Sequence, residues 1–142
     1  MKNKLFILVA LCAVVVAFSA CSLFGNKDVT FSESDLLGYW QENGTEAFVR
    51  FLTERADSEY KYGYEWDEAD DVSESYVLEQ KHGNGWFKWK LVKADLTEIH
   101  LMDNGGAEIP KVYTVTKLTD TELQYKDDFG VKHSFSKVVS PK

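Results

Sequence analysis

Four acidic side chains crowd one turn, Asp67, Glu68, Asp70 and Asp71, and their spacing invites comparison with a calcium loop. An EF-hand loop counted from Asp67 needs Gly at its sixth position and Glu at its twelfth; the chain has Val72 and Leu78 there. The turn therefore reads as a solvated acidic loop. The three histidines, His82, His100 and His133, lie 18 and 33 residues apart, with no Cys or Glu at zinc-ligand spacing. His133 shares parity with Phe135 and is expected to point inward as a hydrogen-bonded histidine. The chain has no G-x-S-x-G elbow, no P-loop and no H-E-x-x-H, and nothing singles out a carboxylate pair. Neither catalysis nor a metal or other cofactor is expected.

The two cysteines, Cys12 and Cys21, carry the clearest chemistry. Lys2 and Lys4 precede an uninterrupted apolar run over residues 5–18, followed by the small residues Ser19 and Ala20, which is the layout of a signal peptide. The run falls short of the ~20 residues a spanning helix needs. Phe18-Ser19-Ala20-Cys21 resembles the bacterial lipobox, in which two small residues precede a cysteine that is acylated and becomes the first residue. Leu11 is too bulky for Cys12 to serve in that role. Acyl chains contribute roughly 0.8 kcal/mol per buried CH₂, and two or more give stable anchoring. The expected organisation is a signal peptide over residues 1–20, a lipidated tether over 21–31 and one domain over 32–139. The lipid bilayer is then a partner through acylated Cys21, and the protein is exported and anchored at the bacterial cell envelope, on the outer membrane.

Cleavage before Cys21 leaves 122 residues with 14 basic and 23 acidic side chains, a formal charge of −9 where the whole chain carries −7. Such a surface repels phosphate, so nucleic acid is not an expected partner. No thiol remains to form a disulfide. Stability must come from a core in which 18 aromatics each bury about 150–250 Å².

Two aromatic constellations stand out. Tyr60, Tyr62, Tyr64 and Trp66 alternate with polar residues or Gly, so a strand would project all four rings from one face. Turned inward they form core or pocket wall; turned outward they form a stacking platform. The inward assignment is preferred, because four exposed rings would leave a large apolar patch. Lys81, Lys88, Lys90 and Lys93 surround Trp86 and Trp89 and are expected on the wet face of a strand. Trp86 shares the parity of Lys88 and Lys90, which makes it the leading candidate for a surface contact.

The elements positioning these residues are short strands. After a single helical turn, with Ser32 as N-cap and Asp35 three places on, apolar and polar residues alternate in runs of five to nine. Turn chemistry breaks the runs at 43–44, 53–58, 67–73, 82–85, 94–95, 103–106, 119–121 and 126–130. Asn43-Gly44 is a strong hairpin signal that sets Trp40 against Ala47 and Gly38 against Val49. A loop at 82–85 sets Gln80, Leu78 and Tyr76 against Phe87, Trp89 and Leu91, with Glu79 opposite Lys88. A loop around Asp128 sets Tyr125 against Val131 and Leu123 against His133. No stretch gives a long amphipathic helix, so an all-β fold follows, and eight or nine antiparallel strands close best as an up-and-down β-barrel without exposed edges.

A helical turn followed by Gly38-Tyr39-Trp40 resembles the G-x-W opening of the lipocalin superfamily, and residues 113–138 look like the closing strands of small bacterial lipocalin-like lipoproteins. The resemblance spans about residues 33 to 139. It implies a turn plugging one end of an eight-stranded barrel, with Lys137 packed over Trp40 where Arg is usual. The Asn43-Gly44 turn replaces the long first loop that forms a lid in many lipocalins. By this resemblance the protein is a non-enzymatic binder of a small apolar or amphipathic ligand in its open end, with Phe51, Tyr62, Tyr64, Trp66, Tyr76 and Trp89 as candidate lining. The alternative is a filled barrel that binds an envelope protein or glycan through Trp86, the lysine face or the acidic loop.

Overall fold

The computed structural model describes residues 29–102 and 106–140, so the expected signal peptide, Cys21 and most of the expected tether lie outside the described residues. A helical turn, α1 (Glu33–Leu36), precedes strands β1 (Gly38–Glu42), β2 (Ala47–Arg55) and β3 (Lys61–Asp67). A 3₁₀ turn (Glu68–Asp70) and a short helix, α2 (Glu74–Glu79), join β3 to β4 (Trp86–Val92). Then come β5 (Asp95–Leu101), β6 (Glu108–Leu118), β7 (Glu122–Lys126) and β8 (Lys132–Val138). Every strand pairs antiparallel with its sequence neighbour, and β8 returns to β1 to close an eight-stranded barrel. Register shifts in β2 after Phe51 and in β6 after Val115 interrupt the ladders. Such bulges add the local twist that closure demands.

One half of the barrel is filled. Leu36, Trp40, Phe51, Phe87, Trp89, Leu96 and Leu123 are almost wholly buried within one continuous core. α1 plugs this end: Trp40 donates its indole N–H to the Leu36 carbonyl at 2.7 Å, and Lys137 lies 5.0 Å above the Trp40 ring centroid. Lys137 also donates to the Asp35 carbonyl at 3.2 Å. Gly38 holds a φ of +113°, a conformation L side chains rarely adopt.

Two hairpins pair two residues away from the expected register. Trp40 faces Val49 and Gly38 faces Phe51, while Tyr125 faces His133 and Leu123 faces Phe135. Side chains alternate with period two, so a two-residue shift leaves each on its expected face. The turn at Asn43-Gly44 is longer than two residues, because β1 ends at Glu42 and β2 begins at Ala47.

The third expected hairpin is overturned. Residues 74–79 form α2, with the Ser73 hydroxyl accepting from the Tyr76 amide at 3.3 Å as its N-cap, and β4 pairs with β3 instead. Gln80, Leu78 and Tyr76 therefore face none of Phe87, Trp89 and Leu91, nor does Glu79 face Lys88. The consequence is large for β3. Gly63 sits between Phe51 and Phe87 in the ladders, and a Cβ there would lie 2.5 Å from the Phe87 ring. The core rings fill the space inside Gly63, so Gly63 and Glu65 face in, and Tyr62, Tyr64 and Trp66 face out, contrary to expectation. α2 covers them through Val77 in a second apolar cluster.

Trp86 belongs to that cluster and is 5% exposed, which overturns its expected place on the surface. Its strand parity is outward, as read from the sequence, but α2 lies over it and the Val77 carbonyl accepts its indole N–H at 2.8 Å. The Tyr64 hydroxyl accepts from Arg50 at 2.8 Å and donates to Glu74 at 2.6 Å, tying the helix to the wall.

Candidate functional site

The other half of the barrel is open. A cavity of about 600 Å³ lies at the end carrying the β1–β2, β3–β4 and β7–β8 connections. Its walls combine Phe48, Val49, Trp66, Val77 and Phe135 with the polar residues Glu42, Glu65, Glu98, Lys111, Tyr113, Tyr125 and His133. Strand alternation places these groups. In β5, Leu96, Glu98 and His100 share the inward face, so the apolar plug gives way to charged side chains toward the mouth. In β6, Lys111 and Tyr113 continue the inward line of Val115 in the same way.

Two histidines each bridge two carboxylates. His100 meets Glu98 through Nε2 at 2.9 Å and Glu65 through Nδ1 at 3.4 Å. His133 meets Glu42 through Nδ1 at 3.0 Å and Asp127 through Nε2 at 3.2 Å. Burial disfavours the imidazolium of His100, but its two carboxylate partners outweigh that cost and lift its pKa to about 9. Burial holds Glu98 above the usual carboxylate range although His100 opposes it, whereas His100 prevails at Glu65 and lowers its pKa. For His133, burial again works against the charged form, and Glu42 and Asp127 again raise the pKa. Both imidazoles are donors on both nitrogens when protonated.

An aromatic band lies beside these bridges. The Tyr113 and Tyr125 rings are 4.4 Å apart, and Tyr125 also packs on His133 and Phe135 at 5.4 and 5.1 Å. Burial pushes both tyrosine hydroxyls to higher pKa, so they stay protonated. Trp66 stacks on Phe48 at 5.0 Å, and its indole N–H is a buried donor without a partner among the described residues.

The six candidate lining residues are dispersed by this architecture. Trp66 and Tyr76 border the cavity at its rim, Tyr76 from α2 with 51% exposure. Phe51 and Trp89 belong to the filled half, where their rings meet at 5.3 Å. Tyr62 and Tyr64 lie in the outer cluster under α2, Tyr62 stacked on His82 at 3.9 Å. His133 points inward. Sequence reasoning passed over Glu65, Glu98, His100, Lys111, Tyr113 and Tyr125; the signal lay in the alternation Leu96-x-Glu98-x-His100 and Lys111-x-Tyr113-x-Val115.

The acidic turn is a capped 3₁₀ turn in which Asp67 accepts from the Ala69 amide at 3.0 Å. Among the described residues no group of three or more His, Cys, Asp or Glu is arranged to hold a metal ion. Among them, too, no helix is long and apolar enough to cross a membrane. No family model, no curated protein and no solved structure matches the chain.

Proposed function

We propose that this chain is a lipocalin-like lipoprotein, anchored to the bacterial envelope through acylated Cys21, that binds a small amphipathic molecule in the open half of its barrel. The cavity of about 600 Å³ carries this reading, because it is confined to one end while the other end is packed solid. Its size falls in the range of roughly 300–1,000 Å³ common to small-molecule sites, and its walls mix apolar rings with a few convergent polar groups. The plug supports the likeness to lipocalins: α1, Gly38, Trp40 and Lys137 stand together as the G-x-W resemblance implies.

The role is binding rather than catalysis. An imidazole whose two nitrogens both face carboxylates has no free lone pair with which to accept a proton, and His100 at a pKa of about 9 is already protonated at neutral pH. The described chain enters the barrel at its plugged end, where the Phe31 amide donates to the Lys93 carbonyl at 3.1 Å. A lipid at Cys21 would then hold that end toward the bilayer and leave the mouth pointing away.

Uptake of an environment-sensitive apolar dye tests the binding role. Wild-type protein should enhance the dye's emission, and Ala47→Trp, which fills the cavity rim, should abolish the enhancement. Absence of uptake by the wild type would overturn the reading. Anchoring is tested separately by Cys21→Ser, which should move the protein from the membrane to the soluble fraction.

A further inference from the structure

Resting on the reading of the open half as a binding cavity, we propose that its ligand is a small organic anion: an oxyanion head held by Lys111, Tyr113 and Tyr125, with a ring-bearing apolar body. The polar groups of the wall divide sharply. Each carboxylate on it already has a donor: Glu42 has His133, Glu65 and Glu98 have His100, and Asp67 has the Ala69 amide. The donors Lys111, Tyr113 and Tyr125 line the same cavity, and none of their side-chain polar atoms has a hydrogen-bond or ion-pair partner among the described residues.

Lys111 is the telling case. It stands directly opposite Glu98 across the β5–β6 ladder, where an ion pair would be expected. Glu98 instead turns to His100, and the ammonium faces the cavity within the field of Glu98 and Glu65 but at hydrogen-bond distance from neither. Tyr125 is a second, independent sign. The side chain is only 7% exposed and lines the cavity, and its hydroxyl, which makes no hydrogen bond to the described residues, reaches accessible space where it can donate to an incoming acceptor.

The three donors form one strip. Lys111 and Tyr113 are two residues apart on β6 and so share a face, and the Tyr113 ring packs against Tyr125 on β7. A carboxylate at the strip accepts from an ammonium and two hydroxyls. Val49 and Phe135, on the inward faces of β2 and β8, supply the surface for its apolar body. The carboxylates do not oppose such a ligand with their full charge, because the His100 imidazolium lies between Glu65 and Glu98.

Calorimetric titration with three isosteres, phenylpropanoate, phenylpropanol and phenylpropylamine, tests the charge preference on the full-length protein. The acid should bind about tenfold or more tightly than the alcohol, the scale of one charge-assisted hydrogen bond, and the amine most weakly. Lys111→Met, which keeps the stem and removes the charge, should erase the preference for the acid, lowering acid affinity about tenfold and alcohol affinity by less. Near-UV circular dichroism matching the wild type shows that the variant keeps its packing. Tyr125→Phe should also weaken the acid selectively. A preference for the amine, equal affinity for all three, or an acid affinity untouched by Lys111→Met would overturn the proposal, as would binding of the apolar dye but of none of the three. Failure of the dye as well would overturn the cavity reading on which the proposal rests.

Discussion

Lys137 lies over Trp40, its ammonium 5.0 Å from the centre of the indole, while the indole N–H points away to the Leu36 carbonyl. One tryptophan thus joins α1, β1 and β8 at the plugged end, and the plug makes the barrel a cup rather than a tube. Trp40→Phe leaves the Leu36 carbonyl without its donor and should lower stability by about 1–3 kcal/mol. Lys137→Met removes the cation–π contact together with the exposed hydrogen bond to the Asp35 carbonyl and should cost about 0.5–2 kcal/mol. Urea denaturation of the two variants checks the order.

Trp86 gives a sharper contrast. On a bare outer wall its removal would change stability within about ±0.5 kcal/mol. Buried under α2 with its N–H bonded to Val77, Trp86→Ala should cost about 3–5 kcal/mol. Guanidinium denaturation distinguishes these outcomes without ambiguity, and Val77→Ala should weaken the same helix-to-wall contact.

Gly63 is required by space rather than by its backbone angle. A Cβ would lie 2.5 Å from two Phe87 ring atoms and 2.8 Å from the Arg50 carbonyl oxygen. Gly63→Ala should therefore destabilise the protein by about 1–3 kcal/mol through overpacking. A compensating Gly63→Ala/Phe87→Leu pair should recover part of the loss in the same denaturation assay.

His100 sets a pH dependence whose sign follows from its raised pKa. The folded protein holds the proton up to about pH 9, against 6.5 for an ordinary histidine. Its contribution is fully present below pH 6.5 and is lost as pH rises through 9, a fall of no more than ~3 kcal/mol. His133, raised by Glu42 and Asp127, acts in the same direction. Denaturant midpoints measured across this window should decline with pH, and His100→Gln should flatten the decline.

The sequence made the barrel legible because alternation with period two survives errors in loop length. Reading Asn43-Gly44 as a two-residue turn misplaced Trp40 by two positions and still kept it inside. The helix in the β3–β4 connection was not legible in that way. Tyr76, Leu78 and Gln80 alternate as a strand would, and the competing signal, Ser73 as N-cap before Glu74, occupies a single turn. That one element reversed the faces assigned to Tyr62, Tyr64 and Trp66 and hid Trp86. The cavity's polar groups were passed over for a related reason: aromatic density drew attention to β3, although most of those rings pack between the wall and α2. Inward-facing Glu98 and His100 look like ordinary strand residues until the barrel closes around them.

Backbone-amide NMR mapping of phenylpropanoate binding tests the central claim most directly, because it reports where a ligand sits as well as whether it binds. Shifts should concentrate at Glu65, Glu98, Lys111, Tyr113, Tyr125 and His133, with Trp40, Leu96 and Leu123 in the plugged half unmoved. Absence of saturable shifts, or shifts centred on α2 and the outer faces of β3 and β4, would contradict it.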